Sequence, residues 1–83
     1  MKGTIVLANP RKGRYAVAMY RGDTIFELLD SMEPQIGDEV AGDLESLGGE
    51  DLTIAGRKVS VLVECFHCSR SIAARWACDG GTP

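Results

Sequence analysis

The residues best equipped for chemistry stand in Cys65-Phe66-His67-Cys68, with Cys78 ten positions further on. Zinc takes four nitrogen or sulfur donors, and Cys-x-x-Cys is half of a familiar knuckle. The other half is missing here, because His67 lies inside the knuckle, poorly placed to share a metal with both flanking thiols. Cys65, Cys68, Cys78 and His67 are therefore an incomplete metal set, and no metal or other cofactor is expected. A redox pair and buried inert thiols are the other readings. An odd number of cysteines crowded near one end is not the even framework of a disulfide-stapled secreted domain, so reduced thiols are the simpler expectation. There is no Gly-x-Ser-x-Gly, no phosphate-binding Gly-Lys-Ser/Thr loop, and no nucleophile and carboxylate arrangement around His67. Catalysis is not expected.

A second group of candidates is Arg11, Lys12 and Arg14 around Gly13, followed by Tyr15, Tyr20 and Arg21. Cations with interleaved rings suit a phosphate backbone and its bases, while a short charge run also suits a solvated hairpin tip. The charge distribution keeps the first reading open. Residues 1–22 carry five bases and no acid, residues 23–51 carry ten acids and no base, and the remainder sums to +2, for a net charge of -3. The acidic block reads as a solvated surface, a repellent for nucleic acid, or a face for a basic partner, including a second copy.

These residues need elements to position them. Thr4 to Ala8 is β-branched and apolar, Asn9-Pro10 and Gly13 supply turn chemistry, and Tyr15 to Tyr20 resumes an extended pattern. Arg21-Gly22-Asp23 is a second turn, leading into a strand in which Thr24, Phe26 and Leu28 face inward and Ile25, Glu27 and Leu29 outward. Tyr15 and Tyr20 fall on opposite faces of their strand. Residues 30–37 read as a connection and residues 37–44 as a fourth strand with Val40 and either Gly42 or Leu44 inward. Gly48-Gly49 breaks the pattern, leaving Leu52 to Ile54 as either a helical turn or a strand fragment. Lys58 to Glu64 is the clearest strand, with Val59, Val61 and Val63 on one face. Ser69 or Ser71 caps a short helix in which Ile72 and Trp76 share a side, and which would plug one end of a barrel. Phe66 and Trp76 read as core.

A chain of 83 residues fits one domain, 45% hydrophobic and 25% charged, with no apolar run near the ~20 residues of a membrane helix. No leader with a charged, apolar and cleavable sequence begins it, so a cytoplasmic location is the default and no membrane partner is expected. The pattern predicts an all-β fold, a small five-stranded barrel with a short C-terminal helix spanning residues 1–78, and a tail at 79–83.

The opening MKGTIVLANPRKGRYAV resembles that of cold-shock domain proteins, whose pattern runs Gly-x-Val-Lys-Trp-Phe-Asn-x-x-Lys-Gly-Phe-Gly-Phe-Ile. Gly3, Ile5, Asn9, Lys12, Gly13 and Val17 match in register without a gap, and the likeness continues more loosely over about the next twenty-five residues. The resemblance implies an OB-fold, a partly open Greek-key barrel that binds oligonucleotides. It also implies where bases would stack: on Leu7, Ala8, Arg14 and Ala16, and, through a second motif aligned with residues 24–28, on Ile25 and Glu27. None of these carries a ring here. Stacking is worth roughly 1–3 kcal/mol per base, so the expected binding is weak and salt-sensitive.

Two functions follow as expectations. One is a non-catalytic module for single-stranded DNA or RNA, using Arg11, Lys12, Arg14 and Arg21 with Tyr15 or Tyr20. The other is a protein-interaction or self-assembly module that presents Leu7, Ala16, Ile25 and Leu29 as an apolar patch.

Overall fold

The structure, a computed structural model, describes the chain from residue 1 to residue 79 and its side chains to residue 75. Six strands and one helix follow in order: β1 (Lys2–Asn9), β2 (Arg14–Met19), β3 (Gly22–Leu28), β4 (Glu39–Gly42), β5 (Gly48–Ile54), β6 (Arg57–Cys68) and α1 (Arg70–Asp79). The strands pair in the circuit β1-β2-β3-β6-β5-β4, and β4 closes on β1 to make an antiparallel barrel. The all-β expectation holds, but the barrel has six strands where five were expected. The added definition comes from β5, whose Gly48-Gly49 opens the strand instead of breaking it. Pairing from Gly48↔Val63 to Ile54↔Arg57 imposes extended structure on residues of low strand propensity.

Period-2 alternation fills the interior. Ile5, Val17, Phe26, Val40, Leu52 and Val61 are among the buried side chains of the main core. Tyr15 joins them, its ring 5.7 Å from that of Phe26. Thr24, also fully buried, satisfies its hydroxyl by donating to the Leu44 carbonyl at 2.9 Å, as a buried hydroxyl must.

A second apolar cluster lies on the outside of the barrel. In β1 the register shifts between Ile5 and Leu7, so the bulge turns both Val6 and Leu7 outward before Ala8 returns to the core. They join Ala16, Ile25 and the helical Ala73, all three fully buried. The helix α1 therefore lies across the outer face of β1, β2 and β3, and does not plug an end of the barrel. Ser69 is its cap, accepting the Ile72 amide at 3.3 Å. Ala73, and not Ile72, faces the sheet: Ile72 is exposed. Arg70 anchors the first turn, its Nε donating to the buried Asp23 carboxylate at 2.5 Å. The expectation for Trp76 lies outside the described side chains, and that for the tail at 80–83 outside the described residues; Phe66 is half-buried, edge-on to His67.

Candidate nucleic-acid interface

The β1–β2 loop is a defined structure. Residues 10–13 are tied by the Lys12 amide to Asn9 O at 3.1 Å and the Gly13 amide to Pro10 O at 3.3 Å, while Gly13 O accepts the Leu28 amide at 2.7 Å. Gly13 has φ +67°, the left-handed region that favours glycine. Arg11 and Lys12 project from this loop, exposed. Neither makes an ion pair among the described residues.

The structure separates the other candidates. Arg14 is not available to a phosphate: only 21% exposed, its Nε lies 3.0 Å from Glu64 Oε1, and it pairs across the strands with Glu27. Tyr15 is not available to a base, because it is 1% exposed within the core. Its phenol is held above the ordinary tyrosine range by burial and, secondarily, by the negative charge of Glu33. Tyr20 and Arg21 are exposed, but they form the turn at the far end of β2, with Met19 paired to Gly22. At about 3.3 Å per residue they stand roughly 20 Å from the β1–β2 loop.

Strand polarity adds two cations that the charge count alone does not single out. β3 ends beside Gly13, and β6 runs antiparallel to it, with Leu28 opposite Val61. The β5–β6 turn therefore opens at the same end of the barrel as the β1–β2 loop. Arg57 and Lys58 follow that turn, both exposed, and the Lys58 ammonium lies a long 4.0 Å from the Asp51 carboxylate, its one ion-pair contact among the described residues. Their basic character was visible in the sequence; their position relative to Arg11 and Lys12 depends on the closed circuit. Between the two loops runs the β3–β4 connection, carrying Asp30, Glu33 and Asp38. Asp30 accepts the Ser60 amide at 2.7 Å and Asp38 accepts that of Gln35 at 2.9 Å, so both carboxylates serve the fold. Glu33 is exposed.

The apolar patch expected on the outer face is largely covered. Ala16 and Ile25 are fully buried under α1 and Leu7 packs against them; of the four only Leu29 is exposed, at 58%. The positions at which the resemblance places base stacking on Leu7, Ala16 and Ile25 are thus sealed by the chain's own helix. A different apolar stripe remains open. Leu62 sits opposite Gly49 and Glu27, with Leu29 on its diagonal across β3 and β6 and Leu47 just before the start of β5. All three leucines are exposed. Beside them Leu29, Gly49, Glu50, Asp51, Ser60 and Val61 line a groove of about 330 Å³.

The cysteine cluster also departs from expectation. Cys65 and Cys68 are joined in a disulfide and are not free thiols. His67 turns to Glu45, whose carboxylate its Nε2 closely contacts, and no group of three potential metal donors forms among the described residues. The Cys78 side chain lies outside those described.

No protein-family profile, curated protein or solved structure matches the chain. Among the described residues no helix is long and apolar enough to cross a membrane.

Proposed function

We propose that the chain is a non-catalytic OB-type barrel that contacts the phosphate backbone of single-stranded nucleic acid through the loops at one mouth. The observation that supports this is the placement of Arg11 and Lys12 and of Arg57 and Lys58 at the same end of the barrel, on the two loops with which OB-type barrels hold oligonucleotides. The grip is electrostatic, because the outer sheet face is covered by α1 and Tyr15 is in the core. It is also weak, since the acidic connection lies between the cationic loops.

The test is an anisotropy titration of a labelled single-stranded oligonucleotide. Affinity falls as salt rises, with a slope of roughly -0.7 per phosphate contact. Arg11→Glu with Lys12→Glu abolishes binding, and Glu33→Gln strengthens it several-fold. Salt-independent binding, or no binding at low salt, refutes the proposal. The stripe of Leu29, Leu47 and Leu62 beside an acidic groove favours a second reading, a surface for a basic protein segment. It gains support if the oligonucleotide fails while Leu62→Asp disrupts a complex with such a segment.

A further inference from the structure

The bond between Cys65 and Cys68 occupies a particular place in the barrel. Along β3 the pairing advances from Ile25 to Asp23, while along β6 it advances from Cys65 to Cys68, so β6 carries an extra residue there. The disulfide spans this bulge. His67, inside it, has φ +58°, and Gly22 packs against the bulge so closely that a Cβ there would lie 2.8 Å from the His67 carbonyl carbon. Both cysteines also belong to the outer apolar cluster on which α1 rests, and Ser69, the next residue, caps that helix. The covalent clamp and the seat of α1 are therefore the same few residues. Cys65 is half-buried and Cys68 is 8% exposed, which makes Cys65 the more accessible of the two.

We propose that Cys65 and Cys68 are an exchangeable redox couple for a low-molecular-weight thiol of the glutathione class, and that its oxidised form clamps α1 over the face of β1, β2 and β3. The exchange balances in two steps. An incoming thiolate attacks Cys65 Sγ, forming a mixed disulfide and breaking the Cys65–Cys68 bond, with the electron pair leaving on Cys68. That thiolate stands two residues before the first turn of α1, where helix amides favour negative charge. A second thiolate then attacks the sulfur of the bound small thiol, releasing its disulfide and a Cys65 thiolate; each cysteine thiolate takes a proton from solvent. The small thiol is oxidised and the protein pair reduced, two electrons in all. The Phe66 carbonyl, 3.8 Å from Cys65 Sγ and 3.9 Å from Cys68 Sγ, is an acceptor for either thiol once formed. Without the clamp the bulge loosens, and α1 uncovers Leu7, Ala16 and Ile25.

The experiment uses the full chain carrying Cys78→Ser, so that only one intramolecular pair can form, equilibrated in buffers of reduced and oxidised glutathione. Alkylation and mass measurement report the oxidised fraction, and amide exchange reports α1. The expected result is a reversible two-electron transition within the buffer series. Exchange at Ala73, whose amide bonds Ser69 O, and at Ile25 becomes roughly ten-fold faster in the reduced protein, the scale of a short-loop cross-link. Cys65→Ser with Cys68→Ser exchanges like the reduced form in every buffer. A pair that stays reduced or stays oxidised throughout the series overturns the proposal. So does equal protection of α1 in the oxidised and reduced wild-type pair, whatever the serine variant does.

Discussion

Tyr15 packs on Phe26 in the middle of the core, and its phenol is raised by burial first and by Glu33 second. The folded chain therefore keeps the proton that the unfolded chain releases near pH 10. Its contribution to stability is complete below that pH and is lost as pH rises through the folded value, at up to about 1.4 kcal/mol per pH unit. Unfolding free energies measured from pH 8 to 11 should fall more steeply for the wild type than for Tyr15→Phe; parallel curves would show that the phenol is not held neutral by the fold. Alternation in the sequence set Tyr15 and Tyr20 on opposite faces, but which of them faced inward depended on the register of β2 against β3. Arg14 was harder to read. Its partner Glu64 lies fifty residues away, and no local pattern of charge reveals such a pairing.

At the scale of elements, the β5–β6 hairpin closes through Ala55 and Gly56 alone, with Ile54 opposite Arg57. Both residues have positive φ, 51° and 83°, the geometry of a two-residue type I′ turn. Asparagine tolerates that region better than alanine, whose Cβ crowds the following carbonyl. Ala55→Asn should therefore stabilise the chain by roughly 0.5–1 kcal/mol, raising the thermal midpoint by a few degrees. The Ala55 amide keeps its bond to Glu39 O, so a loss of stability would mean that the turn has another form. An alanine in this position is also why the hairpin was hard to find from sequence, since the usual Asn-Gly signal is absent. β1 and β2 were legible from β-branched and apolar runs set between turn signals, β3 and β6 from their alternation, and Ser69 because capping is a local event. β5 was not, because its glycines and acids become a strand only against β6.

At the scale of the whole molecule, closure rearranges what the linear order suggests. Basic and acidic blocks separate along the chain, yet the barrel sets Arg14 against Glu64, Arg70 against Asp23, and the acidic connection between two cationic loops. The same closure covers most of the apolar patch and sets Arg57 at the same end of the barrel as Arg11, so the composition of the candidate site was legible but its arrangement was not. The seam where β4 meets β1 depends on Gly3, paired with Val40. A Cβ on Gly3 would lie 2.6 Å from both the Ala18 carbonyl oxygen and Met19 Sδ, and would also strike Val17. Backbone cannot yield there without opening the pairing of β1 to β2 or to β4. Gly3→Ala should therefore cost on the order of 1–3 kcal/mol, the range for overpacking a tight interior. The denaturant midpoint should fall with little change in slope if the barrel still closes. Gly49→Ala is the control: no atom lies within 4 Å of its Cβ position, and its midpoint should hold or rise as the unfolded chain loses freedom. Equal midpoints for the two variants would mean that β1 does not lie this closely against β2 at Gly3.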